Sequence, residues 1–388
     1  MGYGCYVHVP FCSGNKCPYC GFYSIPYSSA LAKSFISAVH THTRGIKSPA
    51  IDTLYFGGGT PTALSPDELG MLIDGIAEIL PFNEDAEITI EVNPDSVLIE
   101  TASLLAKLGV NRISLGIQSL LDEQLETLGR RHNSDQALRA YEIFRRHPFS
   151  ISFDLIYGIP GQSLNDWETT LKRVVELSPD HISTYCLSYE DGTPFADAVR
   201  VGKLTPHDSE LEREMFEMVT SYLTASGFRH YEISNFAKPD SESRHNLKYW
   251  TGKGYLAFGP AAHGYCPGPP KWTRFAAGKD LKNYIRRIQS GEEPWEMVEE
   301  LDLAKRSAEF LLLRLRLIEG FSEDNVARQF PELDAEQYVK CLAPLISDGK
   351  LLKDDGSIRI VPSELFISDS IVYRAIQLTE PYVSRMTT

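Results

Sequence analysis

The sequence predicts an α/β fold: a partial (β/α)6 TIM-like barrel followed by a smaller helical, winged-helix-like domain. Three observations predict it. Six short apolar runs alternate with amphipathic segments up to residue 226, and that alternation gives a parallel sheet covered on both faces. The glycine, cysteine and carboxylate motifs fall at the ends of those runs, which share one face in a parallel βα architecture. Six units are too few to close an eight-unit barrel.

The apolar runs are Tyr6–Val9, Thr53–Phe56, Ile88–Val92, Arg112–Ile117, Ile151–Ile156 and His181–Leu187. Amphipathic segments cover 30–44, 65–80, 97–108, 134–146, 164–177 and 207–226. Ser65 before Pro66, with Glu68 three residues on, reads as a capping box with proline at the first helical position. Ser163, Asn165 and Asp166 do similar work for the fifth helix. Gly227–Tyr231 and Glu232–Phe236 read as a short strand and turn. Residues 299–320 carry a helical stripe of Leu301, Ala304, Ala308, Leu311, Leu312 and Leu315. Phe321-Ser322-Glu323 caps the next helix, and another runs from Asp334 to Asp348. Lys350–Lys353 and Ile358–Val361 form a hairpin around Asp355-Gly356. The expected division is a barrel at 1–230, a connecting segment at 231–295 with a linker near Gly278–Pro294, and a C-terminal domain at 296–388.

The chain has 388 residues, 43% hydrophobic, so a sizeable core is available. Its 38 basic and 52 acidic residues give a net charge of -14, which argues against nucleic-acid and anionic-membrane binding. No signal peptide and no membrane-spanning run is read. Seven unevenly spaced cysteines do not make a disulfide framework. A reducing cytoplasm is expected.

Cys12, Cys17 and Cys20 lie on one loop broken by Pro10, Gly14, Pro18 and Gly21. Three thiolates at a strand end suit an iron–sulfur cluster with one iron left open. A structural zinc site wants a fourth ligand, for which His8 is the only neighbour. Gly57-Gly58-Gly59-Thr60-Pro61 lets backbone approach a ligand but lacks the dinucleotide spacing. Glu91 and Asp154 are carboxylates among strand apolars and need partners. Gln118 ends the fourth run. Further on, Arg244-His245-Asn246-Leu247-Lys248-Tyr249-Trp250 supplies an imidazole able to ligate iron and two aromatics able to stack on a flat ring. The same residues could simply pack two domains together.

The motifs H-V-P-F-C, C-P-Y-C, G-G-G-T-P, E-V-N-P, R-I-S-L-G-I-Q-S, L-G-R-R-H-N, D-L-I-Y-G-I-P-G-Q, H-N-L-K-Y-W and L-F-I-S-D-S-I, in this order, resemble the radical S-adenosylmethionine (SAM) superfamily. Within it, they are similar to the oxygen-independent coproporphyrinogen III oxidase-like group. The resemblance covers nearly the whole chain. It implies a 4Fe–4S cluster on Cys12, Cys17 and Cys20, and a SAM site of Tyr6, Gly58, Gly59, Thr60, Glu91, Gln118, Arg130 and Asp154. SAM would chelate the open iron, and its reductive cleavage yields a 5′-deoxyadenosyl radical. Two features depart from the commonest pattern. Four residues separate Cys12 from Cys17, where three are usual, and Phe22 stands where the decarboxylating enzymes carry a fourth cysteine. Phe22 and H-N-L-K-Y-W resemble the group's heme-chaperone branch, which implies heme bound by His245, Asn246, Tyr249 and Trp250 and passed to respiratory proteins. The alternative is oxidative decarboxylation of coproporphyrinogen III.

Overall fold

The computed structural model describes residues 2–268 and 270–386. Six strands run parallel in sequence order: β1 (Tyr3–Val9), β2 (Ile51–Gly58), β3 (Phe82–Val92), β4 (Arg112–Gln118), β5 (Ser150–Tyr157) and β6 (His181–Cys186). The sheet continues at both ends. β8 (Asn235–Ala237) pairs antiparallel with β6, and β7 (Arg229–Glu232) pairs with β8. On the other side β9 (Tyr255–Phe258) lies parallel to β1, and β10 (His263–Cys266), β11 (Thr273–Ala277) and β12 (Trp295–Glu300) follow antiparallel. The order is β12-β11-β10-β9-β1-β2-β3-β4-β5-β6-β8-β7. Among the described residues β7 and β12 remain edges, so the barrel is open. The segment 231–295, expected as a connection, therefore supplies strands to both ends of the sheet.

Helices α1 (Ser29–Arg44), α2 (Pro66–Ile79), α3 (Ile99–Lys107), α4 (Ser134–Arg145) and α5 (Leu164–Leu177) fill the crossovers, and α6 (Ser209–Ala225) follows β6. The caps are those the sequence signals. Ser65 and Glu68 form a reciprocal capping box with Pro66 in the first turn, and Ser163 with Asp166 forms another; each satisfies backbone N–H groups that a helix start leaves orphaned. The buried Glu68 also accepts from Tyr27 at 2.8 Å and Ser29 at 2.7 Å, tying α2 to the start of α1.

Strand alternation divides the sheet into an apolar and a polar face. Leu54 and Phe56, Ile90, Ile113, Leu115 and Ile117, Ile151, Phe153 and Leu155, and Ile182 are buried in one core with the helices. Each such side chain contributes about 1.5–3 kcal/mol of burial. The intervening residues are Tyr55, Thr89, Glu91, Arg112, Ser114, Ser152, Asp154 and Ser183. They line an internal cavity.

Three stretches differ from expectation. Residues 278–294 hold α8 (Leu281–Gln289), after α7 (Arg244–Trp250). Its stripe of Leu281, Tyr284, Ile285 and Ile288 is buried, and Tyr284 Oη meets Gly259 N at 3.1 Å and His42 Nδ1 at 3.0 Å. The helix expected at 299–320 is confined to α9 (Leu303–Arg314), because β12 takes residues 295–300 and Asp302 caps the helix start. The helix expected at 334–348 is split into Ala335–Lys340 and Ala343–Ser347, with Pro344 in the first turn of the second. The hairpin forms as expected: Leu351–Asp354 pairs with Ser357–Ile360, and Asp355 and Gly356 both take positive φ. Helix α10 (Ser368–Arg385) closes the chain against α9. Among the described residues no helix is long and apolar enough to cross a membrane.

Candidate functional site

The cysteine loop is fixed to the barrel rim through its backbone. Phe11–Cys12 pairs with Ile25–Pro26, and Thr60 N donates to Phe11 O at 2.6 Å. Cys20 N donates to Cys17 O at 3.1 Å, folding C-P-Y-C into a turn. Cys12, Cys17 and Cys20 all line the mouth of the cavity. In the Ser13–Lys16 spacer Ser13 Oγ accepts from Arg131 Nη1 at 3.3 Å, while Lys16 lines the cavity. Arg130 Nη1 lies 3.6 Å from Cys17 Sγ and Thr60 Oγ1 lies 3.9 Å from Cys12 Sγ. Among the described residues, no three His, Cys, Asp or Glu side chains gather as a lone metal ion requires. Three cysteines on one loop are the thiolate-only donors that an iron–sulfur cluster takes. His8 does not join them, since Nε2 faces Tyr23 O at 2.8 Å and Nδ1 faces Tyr6 Oη at 3.1 Å. The donor set therefore fits a 4Fe–4S cluster.

The glycine run brings β2 against this loop. A Cβ on Gly59 would sit 2.4 Å from Phe11 O, and one on Gly58, at φ +109°, would strike the His8 ring at 2.6 Å. Gly58 N donates to Glu91 Oε2 at 3.1 Å, and Tyr55 Oη to Glu91 Oε1 at 2.9 Å. Gln118 takes φ +67° at the end of β4, an uncommon conformation for a residue with a side chain. Arg130 Nη2 donates to Asn93 Oδ1 at 2.9 Å and Gly116 O at 2.8 Å. Of the eight residues expected at a SAM site, Gly58, Gly59, Thr60, Glu91, Gln118, Arg130 and Asp154 line the one cavity. Tyr6 is not part of its lining and stands beside Tyr55, ring centroids 6.1 Å apart.

The cavity, of about 630 Å³, runs down the barrel interior from the cysteines to Ser243 and Asn246. Its polar wall includes Thr89, Arg112, Ser114, Ser152, His181, Ser183 and Tyr185, none of them singled out by the strand-end motifs. Glu91 and Asp154 face this wall, and Ser114 Oγ donates to Asp154 Oδ2 at 2.8 Å. Burial, then the neighbouring Asp154 charge, pushes the Glu91 carboxyl up to about 7. Burial pushes Asp154 up to about 6 against its serine donors. Raised carboxyl pKa values mean the folded chain binds these protons more tightly than the unfolded chain. Their contribution to stability is then full at low pH and is lost as pH rises through the folded values. Between pH 5 and 7 stability should fall on their account, by at most about 1.4 kcal/mol per pH unit for each proton the folded chain keeps and the unfolded chain loses, read as a lower melting temperature. Glu91→Gln should flatten that slope in thermal melts; an unchanged slope would remove Glu91 from this account.

Helix α7 carries the H-N-L-K-Y-W motif beneath the N-terminal ends of the strands, at the far end of the cavity from the cysteines. Glu87 holds its start, accepting from Arg244 N at 3.0 Å and His245 N at 2.8 Å. His245 is 1% exposed. Its Nδ1 meets Thr53 Oγ1 at 2.8 Å and its Nε2 meets Tyr249 Oη at 2.8 Å, and its ring stacks on Tyr55 at 5.1 Å. Burial, then the Lys248 ammonium, pushes its pKa down to about 3, so the ring is neutral. Trp250 lies under the Arg316 guanidinium at 4.7 Å, a link to the C-terminal region. Of the motif residues only Asn246 reaches the cavity wall. The structure thus places the four residues together, with the imidazole enclosed and both its nitrogens engaged.

A model of the radical SAM superfamily matches residues 6–174. The heme chaperone HemW of Bacillus subtilis (strain 168) is 36% identical over 363 residues, covering 91% of this chain and 93% of that protein. HemW of Escherichia coli (strain K12) is 33% identical, covering 86% of this chain and 90% of that one. The mitochondrial radical S-adenosyl methionine domain-containing protein 1 of Bos taurus is 33% identical, covering 95% and 86%. Among solved structures, the coproporphyrinogen III oxidase HemN of Escherichia coli superposes with a TM-score of 0.82 at 24% identity, over 98% of this chain and 90% of that one. That likeness shows the fold.

Proposed function

The chain belongs to the HemW family of the radical SAM superfamily, and from that premise we propose that it is a cytoplasmic heme chaperone, binding heme and passing it to respiratory proteins. The observation that carries the reading is the relatives' heme-chaperone identity over nearly the full chain, together with the presence here of both the cysteine loop and H-N-L-K-Y-W. Phe22, 66% exposed at the cavity mouth, supports it over coproporphyrinogen decarboxylation, since no fourth thiol stands there.

Cys12, Cys17 and Cys20 would hold the cluster, and Gly58, Gly59, Thr60, Glu91, Gln118, Arg130 and Asp154 would hold SAM. When bound, the pair supplies one-electron reductive chemistry that protein side chains lack. The chain's own residues do the positioning. Arg130 ties the cysteine loop to β4, Glu91 orients the Gly58 amide, and Asp154 offers a second acceptor deeper in the barrel. Glu91→Ala and Asp154→Ala should each weaken SAM binding by about 1–3 kcal/mol, the usual cost of removing a charged hydrogen-bond partner. Calorimetry on reconstituted protein tests this, and unchanged affinity in both variants would move the site elsewhere.

For heme, His245 would be the iron ligand, with Asn246 orienting the ring and Tyr249 and Trp250 covering the porphyrin face. Ligation at Nε2 would displace the Tyr249 hydroxyl that now meets it at 2.8 Å. The functional test is transfer. Heme-loaded protein mixed with an apo b-type cytochrome should lose its Soret signature as the cytochrome gains one. Heme retained by the chain, or released no faster than from albumin, contradicts a chaperone role.

A further inference from the structure

The lower half of the barrel cavity carries donors that the SAM site does not use. Arg112, Ser114, Gly116 and Gln118 line the cavity as a whole. They span the length of β4, about 20 Å at roughly 3.3 Å per residue. The expected SAM residues of β4 and its loop, Gln118 and Arg130, lie at the upper end. Arg112 is at the floor and only 4% exposed. Its Nη1 donates to Ser150 Oγ at 3.2 Å and Ser241 O at 3.0 Å, and its Nη2 has no partner. Among the described residues it forms no ion pair: Asp154, the carboxylate whose charge it feels, is held by Ser114 instead. Next to Arg112 in the sheet register is Thr89, 1% exposed, whose Oγ1 is also unpartnered. Asn246 closes the floor from α7.

A buried guanidinium with no carboxylate in direct contact is costly. An unpaired buried hydroxyl adds to that cost. Both residues line one cavity, and both side chains carry a donor for an acceptor-rich group. Guanidinium is matched in shape and charge to carboxylate.

We propose that the floor of the barrel is a carboxylate-binding site in which Arg112 Nη2 and Thr89 Oγ1 hold the two oxygens and Asn246 borders them. The carboxylate belongs either to a free small organic acid or to a propionate arm of a tetrapyrrole reaching into the barrel. The second source rests on the heme reading above; the first does not.

The test uses the full chain, anaerobically reconstituted, as wild type, Arg112→Gln and Thr89→Val. Circular dichroism and iron content establish that each variant is folded and loaded. Three probes are titrated: sodium propionate, hemin and hemin dimethyl ester, with sodium chloride as the ionic control. If a free acid is the ligand, propionate binds saturably to wild type, beyond the chloride effect, and Arg112→Gln weakens it about tenfold or more. If a propionate arm is the ligand, wild type binds hemin more tightly than the dimethyl ester, and Arg112→Gln erases that difference. Thr89→Val gives a smaller loss in whichever arm responds. Should Arg112→Gln fail to fold, Thr89→Val carries the same comparison, and its wild-type behaviour then counts against the site. Equal binding of propionate and hemin by all folded variants overturns the proposal while leaving the heme reading intact. Absence of any hemin binding, with propionate still dependent on Arg112, overturns the heme reading and leaves the carboxylate site.

Discussion

Cys17→Ala should leave the anaerobically reconstituted protein with iron and sulfide near background, and Cys12→Ala and Cys20→Ala should do the same. Each thiolate of a three-cysteine site holds its own iron, so losing one removes a third of the protein's grip on the cluster and opens the face it protected. Cys17 has a further role, because its sulfur is the one within 3.6 Å of Arg130. Cys341→Ala is the control: that cysteine lies in the C-terminal region and its thiol faces Gln337 O at 3.3 Å. Cys5 is fully buried in β1, where burial raises its thiol pKa far above the ordinary range, so it stays an inert packing residue. Full cluster content in Cys17→Ala would remove that residue from the ligand set.

His245→Ala should have the second large effect. The substitution removes a buried ring stacked on Tyr55 and strands two hydroxyls, Thr53 Oγ1 and Tyr249 Oη, that it now satisfies. The cost is about 3 kcal/mol, from lost packing and two unsatisfied buried groups, read as a lower melting temperature. The heme ligand role adds a separate signature, loss or displacement of the Soret band on adding hemin. Destabilisation with an unaltered hemin titration would make His245 a packing residue alone and put the heme elsewhere. His245→Gln separates the two roles, since a glutamine amide can bond one of the hydroxyls but ligates iron poorly.

Much of this molecule was legible from residue order alone. The six parallel strands and their helices follow from apolar runs alternating with amphipathic segments, and Ser65-Pro66-Asp67-Glu68 forms the capping box its sequence spells. The upper site was legible because its residues cluster at strand ends. Its lower half was not, although a signal existed. R-I-S-L-G-I-Q and S-I-S-F-D-L-I alternate polar with apolar residues. An alternation of that kind in a barrel strand whose outer face meets helices places the polar set inside. Arg112 and Thr89 lie away from the C-terminal strand ends. The Leu281–Gln289 helix was obscured by the Gly278, Gly291 and Pro294 around it, which signal a linker until the Leu281, Tyr284, Ile285, Ile288 stripe is counted. The enclosure of His245 depends on Glu87 and Thr53, more than a hundred residues away in sequence, and no local pattern announces such a contact.

Hemin titration of the anaerobically reconstituted wild-type chain, with coproporphyrinogen III and 5′-deoxyadenosine followed in parallel samples, tests the central claim most directly. A heme chaperone gives a saturable Soret transition and leaves coproporphyrinogen unconsumed. No saturable transition, with coproporphyrinogen consumed and 5′-deoxyadenosine accumulating in the parallel samples once SAM and dithionite are added, would contradict it and identify a decarboxylating enzyme on the same barrel.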